Sequence, residues 1–324
     1  MNLARVEQIA KAVLYEGYML YPYRPSSVKN RQRFNFGVLY PEAYSDAQEG
    51  SEPCSMRTEC LIRGNRDTML EARLRFLYLQ IRVQRDSALP DGWQEAVERN
   101  VCLPECKLDD LCERQVTRTF AFPVRTGGVD GTGGVGSAED EFKQESVEGV
   151  MEVSAQELGD DLFRISVNVR NTTPLESSSV ERNAALMHSL VSTHTVLGVT
   201  GGEFISLLEP PEGLEDLASS CQNVGAWPVL VGDAGETDTL LASPIILYDY
   251  PQIAPESAGD LFDGTEIDEM LALRVMTLTD DEKRQMRNVD RRAREILERT
   301  ESMPQERFLN LHGTIRGLKP TGGS

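Results

Sequence analysis

The chain has 324 residues, and 52 acidic against 33 basic side chains give it a formal net charge of -19. That balance argues against a nucleic-acid binder, because phosphate contacts dominate such binding and the chain as a whole repels them. The hydrophobic fraction of 40% is that of a globular protein, and no apolar run approaches the ~20 residues that a membrane-spanning helix needs. The first residues carry acids at Glu7 and Glu16 and lack the apolar run and cleavage site of a signal peptide, so the expected location is the cytoplasm.

In chain order, residues 3–16 place Leu3, Val6, Ile9, Val13 and Leu14 near one face, which predicts an amphipathic helix. "YPYRPSS" ends it, since proline disfavours helix at the residue before it. Phe34, Phe36 and Val38 alternate and predict a short strand closed by Pro41. The polar stretch 42–55 reads as a loop. "MLEARLRFLYLQIRVQ" has two partly apolar faces and predicts a long central strand, bent midway. "DGWQEAVERNVCLPECKLDDLC" reads as a short helix and a cysteine-bearing loop, and "RQVTRTFAFPV" as a strand. "SVEGVMEVSAQEL" and "LFRISVNVRNTTP" predict a hairpin joined at Gly159-Asp160-Asp161.

A helix is expected over about 180–190, capped by Ser178 or Ser179. "TVLGVTGGEFISLLEPP", "WPVLVGD" and "SPIILYDYP" read as strands, with a short helix near 212–222. Helices are expected over 265–278 and 279–300, the second opened by Thr279 and Glu282 at capping-box spacing. The expected fold is α+β: an N-terminal helix and arm over 1–55, an antiparallel β-rich domain over 56–175, and a mixed domain over 176–324 that ends in helices.

The chemistry-bearing residues are sparse. "TGGVDGTGGVGS" lacks both the lysine and hydroxyl of a phosphate loop and the spacing of a dinucleotide loop, and reads as a flexible linker. Cys102, Cys106 and Cys112 form the tightest thiol group. Soft thiolates suit zinc or iron–sulfur clusters, but the spacing is not C-x2-C, so this is the weaker reading beside ordinary free thiols. His188 and His194 lack the spacing of a metal-binding helix face, and His194 reads as a hydrogen-bonded structural residue in a turn. The acids from Asp249 to Glu269 fit helix capping better than a calcium loop. No cofactor is implied, and the catalytic residues of any reaction are not legible.

Two segments stand out. Tyr21, Tyr23, Arg24, Lys29, Arg31, Arg33 and Phe34 make a basic aromatic arm near the start of an acidic chain. Arginine grips carboxylates and stacks on rings, so the arm straps onto the acidic body, docks on a partner or holds an anionic small molecule. Tyr248, Asp249 and Tyr250 sit in a proline-bracketed stretch expected to reach a rim.

"YEGYMLYPYRPSSVKNRQRFNFGVLYP", "HSLVSTHTVLGVTGGEFISLLEPPE" and "LASPIILYDYPQIAPESAGDLFDGTEIDEMLALRVMTLTDDEK" together resemble an uncharacterised bacterial family associated with gene clusters for nickel–iron hydrogenases. The resemblance implies a neighbourhood, not a reaction: an accessory, maturation or assembly role beside a metalloenzyme. The expected function is therefore a non-enzymatic accessory protein that binds a hydrogenase subunit or maturation factor. The alternative is an enzyme or metal-binding protein with a noncontiguous cysteine and carboxylate site.

Overall fold

The computed structural model describes Ile9, Ala10, Leu14, residues 34–83, 94–128, 141–159 and 161–252, and Asp280, Lys283, Arg284, Leu297 and Glu298. These residues form two antiparallel sheets packed face to face. The strands are β1 (Ser55–Arg63), β2 (Met69–Val83), β3 (Gln94–Lys107), β4 (Val116–Phe122), β5 (Arg125–Gly128), β6 (Glu141–Gln144), β7 (Val147–Gly159), β8 (Leu162–Asn171), β9 (Val191–Thr200), β10 (Glu203–Ile205), β11 (Trp227–Leu230) and β12 (Thr239–Ser243). Short helices connect them: α1 (Glu42–Ala47), α2 (Leu108–Glu113), α3 (Arg182–Leu186) and α4 (Glu215–Ser219). One sheet has the order β10-β1-β8-β7-β4. The other runs β11-β12-β9-β2-β6-β5, with β3 on the opposite edge of β2.

β2 is the spine of the larger sheet. It pairs with β3 along one edge, and with β9 and then β6 along the other. Its even-numbered side chains, Leu70, Ala72, Leu74, Phe76 and Tyr78, are fully buried between the sheets. They meet Met151 and Val153 of β7, and Phe163, Ile165 and Val167 of β8. Its odd-numbered Leu77 and Leu79 point the other way, into a second cluster with Tyr40, Tyr44, Leu186 and Met187. A strand clad on both faces needs apolar residues at both parities, and that is what this sequence supplies. Each large side chain so buried contributes about 1.5–3 kcal/mol. Ile9 and Ala10, which are helical, pack on Val196, Val229, Val231 and Leu241 on the outer face of the same sheet.

The central strand and the 147–171 hairpin stand where the sequence places them, and the pairing of β2 with β9 shifts between Arg75 and Leu77. α3 lies within the expected span but covers only Arg182–Leu186, and its N-cap is Glu181, not Ser178 or Ser179. Four further expectations are corrected. Residues 94–107 form a strand and not a helix: Val97, Val101 and Leu103 face inward opposite Tyr78, Leu74 and Ala72, while charges at the intervening positions mask the alternation. Residues 42–47 form α1 and not a loop, opened by Pro41 and anchored by buried Tyr44. Residues 34–38 do not form a strand; Phe34 and Gly37 both have positive φ, and only Leu39 makes a bridge, to Leu190. Residues 244–250 lie outside the strands, β12 ending at Ser243, with bends at 244–245 and 249–250.

Strands from either side of the expected boundary at 175 are hydrogen-bonded neighbours: β9 pairs with β2, and β10 with β1. The helices expected over 265–278 and 279–300 fall almost wholly outside the described residues; of these positions Asp280, Lys283, Arg284, Leu297 and Glu298 are described and are helical. Among the described residues, no helix is long and apolar enough to cross a membrane.

Candidate functional site

Seven large hydrophobic side chains are solvent-exposed among the described residues, and five of them, Leu208, Val224, Trp227, Ile246 and Tyr248, come from residues 208–248. Two of them, Ile246 and Tyr248, lie on one short segment whose course the pairing fixes. Ser243 at the end of β12 lies opposite Trp227 at the start of β11. Seven residues later, the Tyr250 N–H donates to the Leu230 carbonyl at the far end of β11 (2.8 Å). The segment between therefore runs alongside β11 from one end to the other. Along it the side chains alternate. Ile245 and Leu247 pack inward on Val229, Val231 and Leu241. Ile246 and Tyr248 point outward and are 73% and 83% exposed.

Asp249 fixes this display. One carboxylate oxygen accepts the Leu230 N–H at 2.7 Å, and the other accepts the Ser206 hydroxyl at 2.5 Å. The Ser206 oxygen in turn accepts the N–H groups of Leu208 and Glu209, which ties the loop after β10 to the same point. Tyr250 adopts a positive φ of 56°, a strained backbone for a residue with a side chain, and its ring packs on the main core. At the other end, Gly37 lies so close to the Pro244 ring that a Cβ there would approach Pro244 Cγ to 2.6 Å. The rim is thus held at both ends. An exposed apolar group whose backbone is fixed loses little entropy on binding, which is how recognition surfaces are built.

Replacing Asp249 with alanine is expected to leave the Leu230 N–H and the Ser206 hydroxyl without their acceptors. The expected cost is about 1–3 kcal/mol. Proteolysis that opens the chain selectively within 244–250, read by mass mapping, would check the local loosening; an unchanged cleavage pattern and melting curve would refute the clamp.

The remaining expected site residues fall elsewhere. Tyr21, Tyr23, Arg24, Lys29, Arg31 and Arg33 lie outside the described residues. Phe34 is 4% exposed within the second cluster, its carbonyl accepting from Arg182, so its ring is core and is removed from the partner-facing set. Cys102 is exposed on the outer face of β3 opposite Arg73, whereas Cys106 lies opposite Leu70. Cys106 and Cys112 both pack against the main core. Burial raises both thiols above their ordinary values, with Asp110 adding to the rise at Cys106 and Glu157 at Cys112. Among the described residues, no group of three or more His, Cys, Asp or Glu side chains is placed to hold a metal ion.

His194 lies inside β9, not in a turn. Its ring is fully buried, with Nδ1 3.0 Å from the Ser192 carbonyl. His188 bonds to the Ser146 carbonyl. Glu59 is a buried carboxylate, but it is committed to structure: it accepts the Gln222 N–H, pairs with Arg57, and its own backbone N–H and carbonyl bond to Asn223. These contacts fasten residues 222–224 along the edge of β1.

Sequence reasoning reached Tyr248 but missed Ile246, Trp227 and Leu208. The signal for Ile246 was present in the alternation of "IILY", which reads as two inward and two outward positions once the segment is known to lie on a sheet face. No protein-family model and no curated protein matches the chain.

Proposed function

We propose that this chain is a non-enzymatic accessory or assembly protein that binds a protein partner through the rim at Leu208, Trp227, Ile246 and Tyr248. The observation that carries the reading is the outward display of Ile246 and Tyr248 on a segment pinned by the Asp249 hydrogen bonds. Tyrosine, tryptophan and aliphatic groups on a preorganised backbone are the composition of interface hot spots. The loop after β10 and the first turn of α4 carry exposed Glu209, Glu212, Glu215 and Asp216. The complementary partner surface is therefore an apolar patch bordered by lysine or arginine.

The sequence resemblance puts nickel–iron hydrogenase subunits and maturation factors first among the partners to test. In this reading the basic aromatic arm supplies a second contact, and the C-terminal helices over 265–300 complete the α+β architecture.

Affinity capture from hydrogenase-expressing cells tests the proposal. Wild-type protein is expected to retain a hydrogenase subunit or maturation protein. The double variant Ile246→Ser with Tyr248→Ser is expected to lose at least tenfold of that protein while its melting temperature is unchanged, since both side chains face solvent. Equal retention by wild type and variant would remove the rim from the function.

A further inference from the structure

At the other end of the sandwich, the inner face of the larger sheet carries a group of hydrogen-bond donors. Register places them together. Arg99 of β3 lies opposite Phe76 and so faces inward. Ile81 of β2 faces outward into the second cluster and lies opposite Lys143, so the next residue of β6, Gln144, faces inward; Arg125 of β5 lies opposite Gln144 and shares its face. Tyr78 stands between them on the same face. Phe122 of β4 closes the group from the opposing sheet, 5.8 Å from the Tyr78 ring.

The Arg99 guanidinium carbon sits 5.3 Å from the centre of the Tyr78 ring and 5.6 Å from that of Phe122. Its Nη1 donates to the carbonyl of Glu98, but among the described residues no carboxylate pairs with either Arg99 or Arg125. Gln144 is 2% exposed, and its Nε2 has no hydrogen-bond partner. The neighbouring acceptors make contacts with other residues. Glu145 takes the Tyr78 hydroxyl on its carbonyl and Lys143 on its carboxylate, and Glu95 accepts from Gln80. Burial lowers the pKa of Arg99, and the neighbouring charge of Arg125 lowers it further, against the opposing effect of Tyr78. Two guanidiniums without a carboxylate are out of character in a protein with 52 acidic side chains. The buried Gln144 Nε2 without an acceptor calls for an explanation, and an acceptor bound beside the two guanidiniums supplies one.

We infer that Arg99, Arg125 and the Nε2 of Gln144 form a binding site for a small carboxylate-bearing anion, bracketed by the rings of Tyr78 and Phe122. Arg125 is exposed and leads to the half-buried Arg99, so the site opens to solvent. Two planar forks match the oxygens of a dicarboxylate, and the aromatic rings orient Arg99 without satisfying its remaining N–H groups. This site is separate from the rim and does not depend on it.

The test is titration calorimetry of succinate, and separately of citrate, into the full-length protein at constant ionic strength, with inorganic phosphate as a third probe. Saturable binding of a carboxylate probe is expected, weakened at least tenfold in Arg125→Gln and in Arg99→Gln and unchanged in the exposed control Arg118→Gln. Arg125 is at the surface, so its variant carries the test even where Arg99→Gln fails to fold. Binding of phosphate alone, binding that survives Arg125→Gln, or no binding of any probe overturns the inference.

Discussion

Replacing Phe76 with alanine is expected to cost about 3–5 kcal/mol of stability, the range for deleting a buried aromatic ring from a close-packed core. Phe76 is fully buried at the middle of β2, the strand that joins both halves of the larger sheet. Its ring meets those of Phe120 and Phe122 at centroid distances of 5.9 and 5.8 Å. Those two belong to β4, the edge strand of the opposing sheet. Gly149 lies across from Phe120 and leaves room for its ring, so the cluster is fitted on more than one side. β4 is paired with β7 along its whole length, so it cannot collapse into the void without disturbing that pairing. Urea unfolding is the measurement. A midpoint shift corresponding to the stated loss, with the denaturant slope unchanged, is the expected result. A loss below about 1 kcal/mol would mean that β4 does not pack on β2 as described.

The second large effect is a loss of stability in mild acid that traces to His194. Burial of the ring lowers its pKa from 6.5 to about 4; the Ser192 carbonyl opposes the shift and the charge of Arg75 adds to it. Arg75 is the cross-strand partner of His194 and is itself 8% exposed, paired with Glu98 at 3.5 Å. The folded state therefore prefers the neutral ring. Its contribution is whole above about pH 6.5, where both states are neutral, and is lost progressively as pH falls from there through about 4. The full loss is about 3 kcal/mol. His194→Gln is expected to destabilise the protein at neutral pH, because the buried site is shaped for the ring, but to give a flatter stability curve between about pH 6.5 and 4. Parallel curves for wild type and variant across that window would assign the acid sensitivity to other groups.

How far the sequence could be read follows from where burial is two-sided, one-sided or polar. β2 was legible because a strand covered on both faces carries apolar residues at both parities over its whole length. The hairpin of β7 and β8 was legible because Gly159 and its acidic neighbours break an otherwise regular alternation. β3 was not, because its outward positions hold Glu98, Asn100 and Cys102 and its inward positions include Glu95 and Arg99, which imitate a polar helix face. Its identity is imposed by twelve residues of pairing with β2, a tertiary effect that local propensity does not contain. His194 was read as a turn residue from its flanking threonines. In β9 those same β-branched residues are strand formers, and the ring is covered on the outer face of the sheet.

The rim was half legible. Its proline brackets and paired tyrosines marked it, and Tyr248 is exposed there, but two of the three expected residues turn inward. Asp249 and Tyr250 hold the segment in place, while Ile246 and Tyr248 face outward. The carboxylate site was not legible at all. Arg99, Arg125 and Gln144 come from three strands that are adjacent only through the order β3-β2-β6-β5, and no spacing within the chain encodes that neighbourhood.

Site-specific photo-crosslinking in hydrogenase-expressing cells tests the central claim most directly. A photoreactive phenylalanine analogue is placed at Tyr248, and in a parallel strain at exposed Thr119 on the opposing sheet. The account predicts one dominant adduct at Tyr248, containing a hydrogenase subunit or maturation protein and absent at Thr119. The same weak pattern from both positions, or no adduct at Tyr248, would contradict a partner-binding rim.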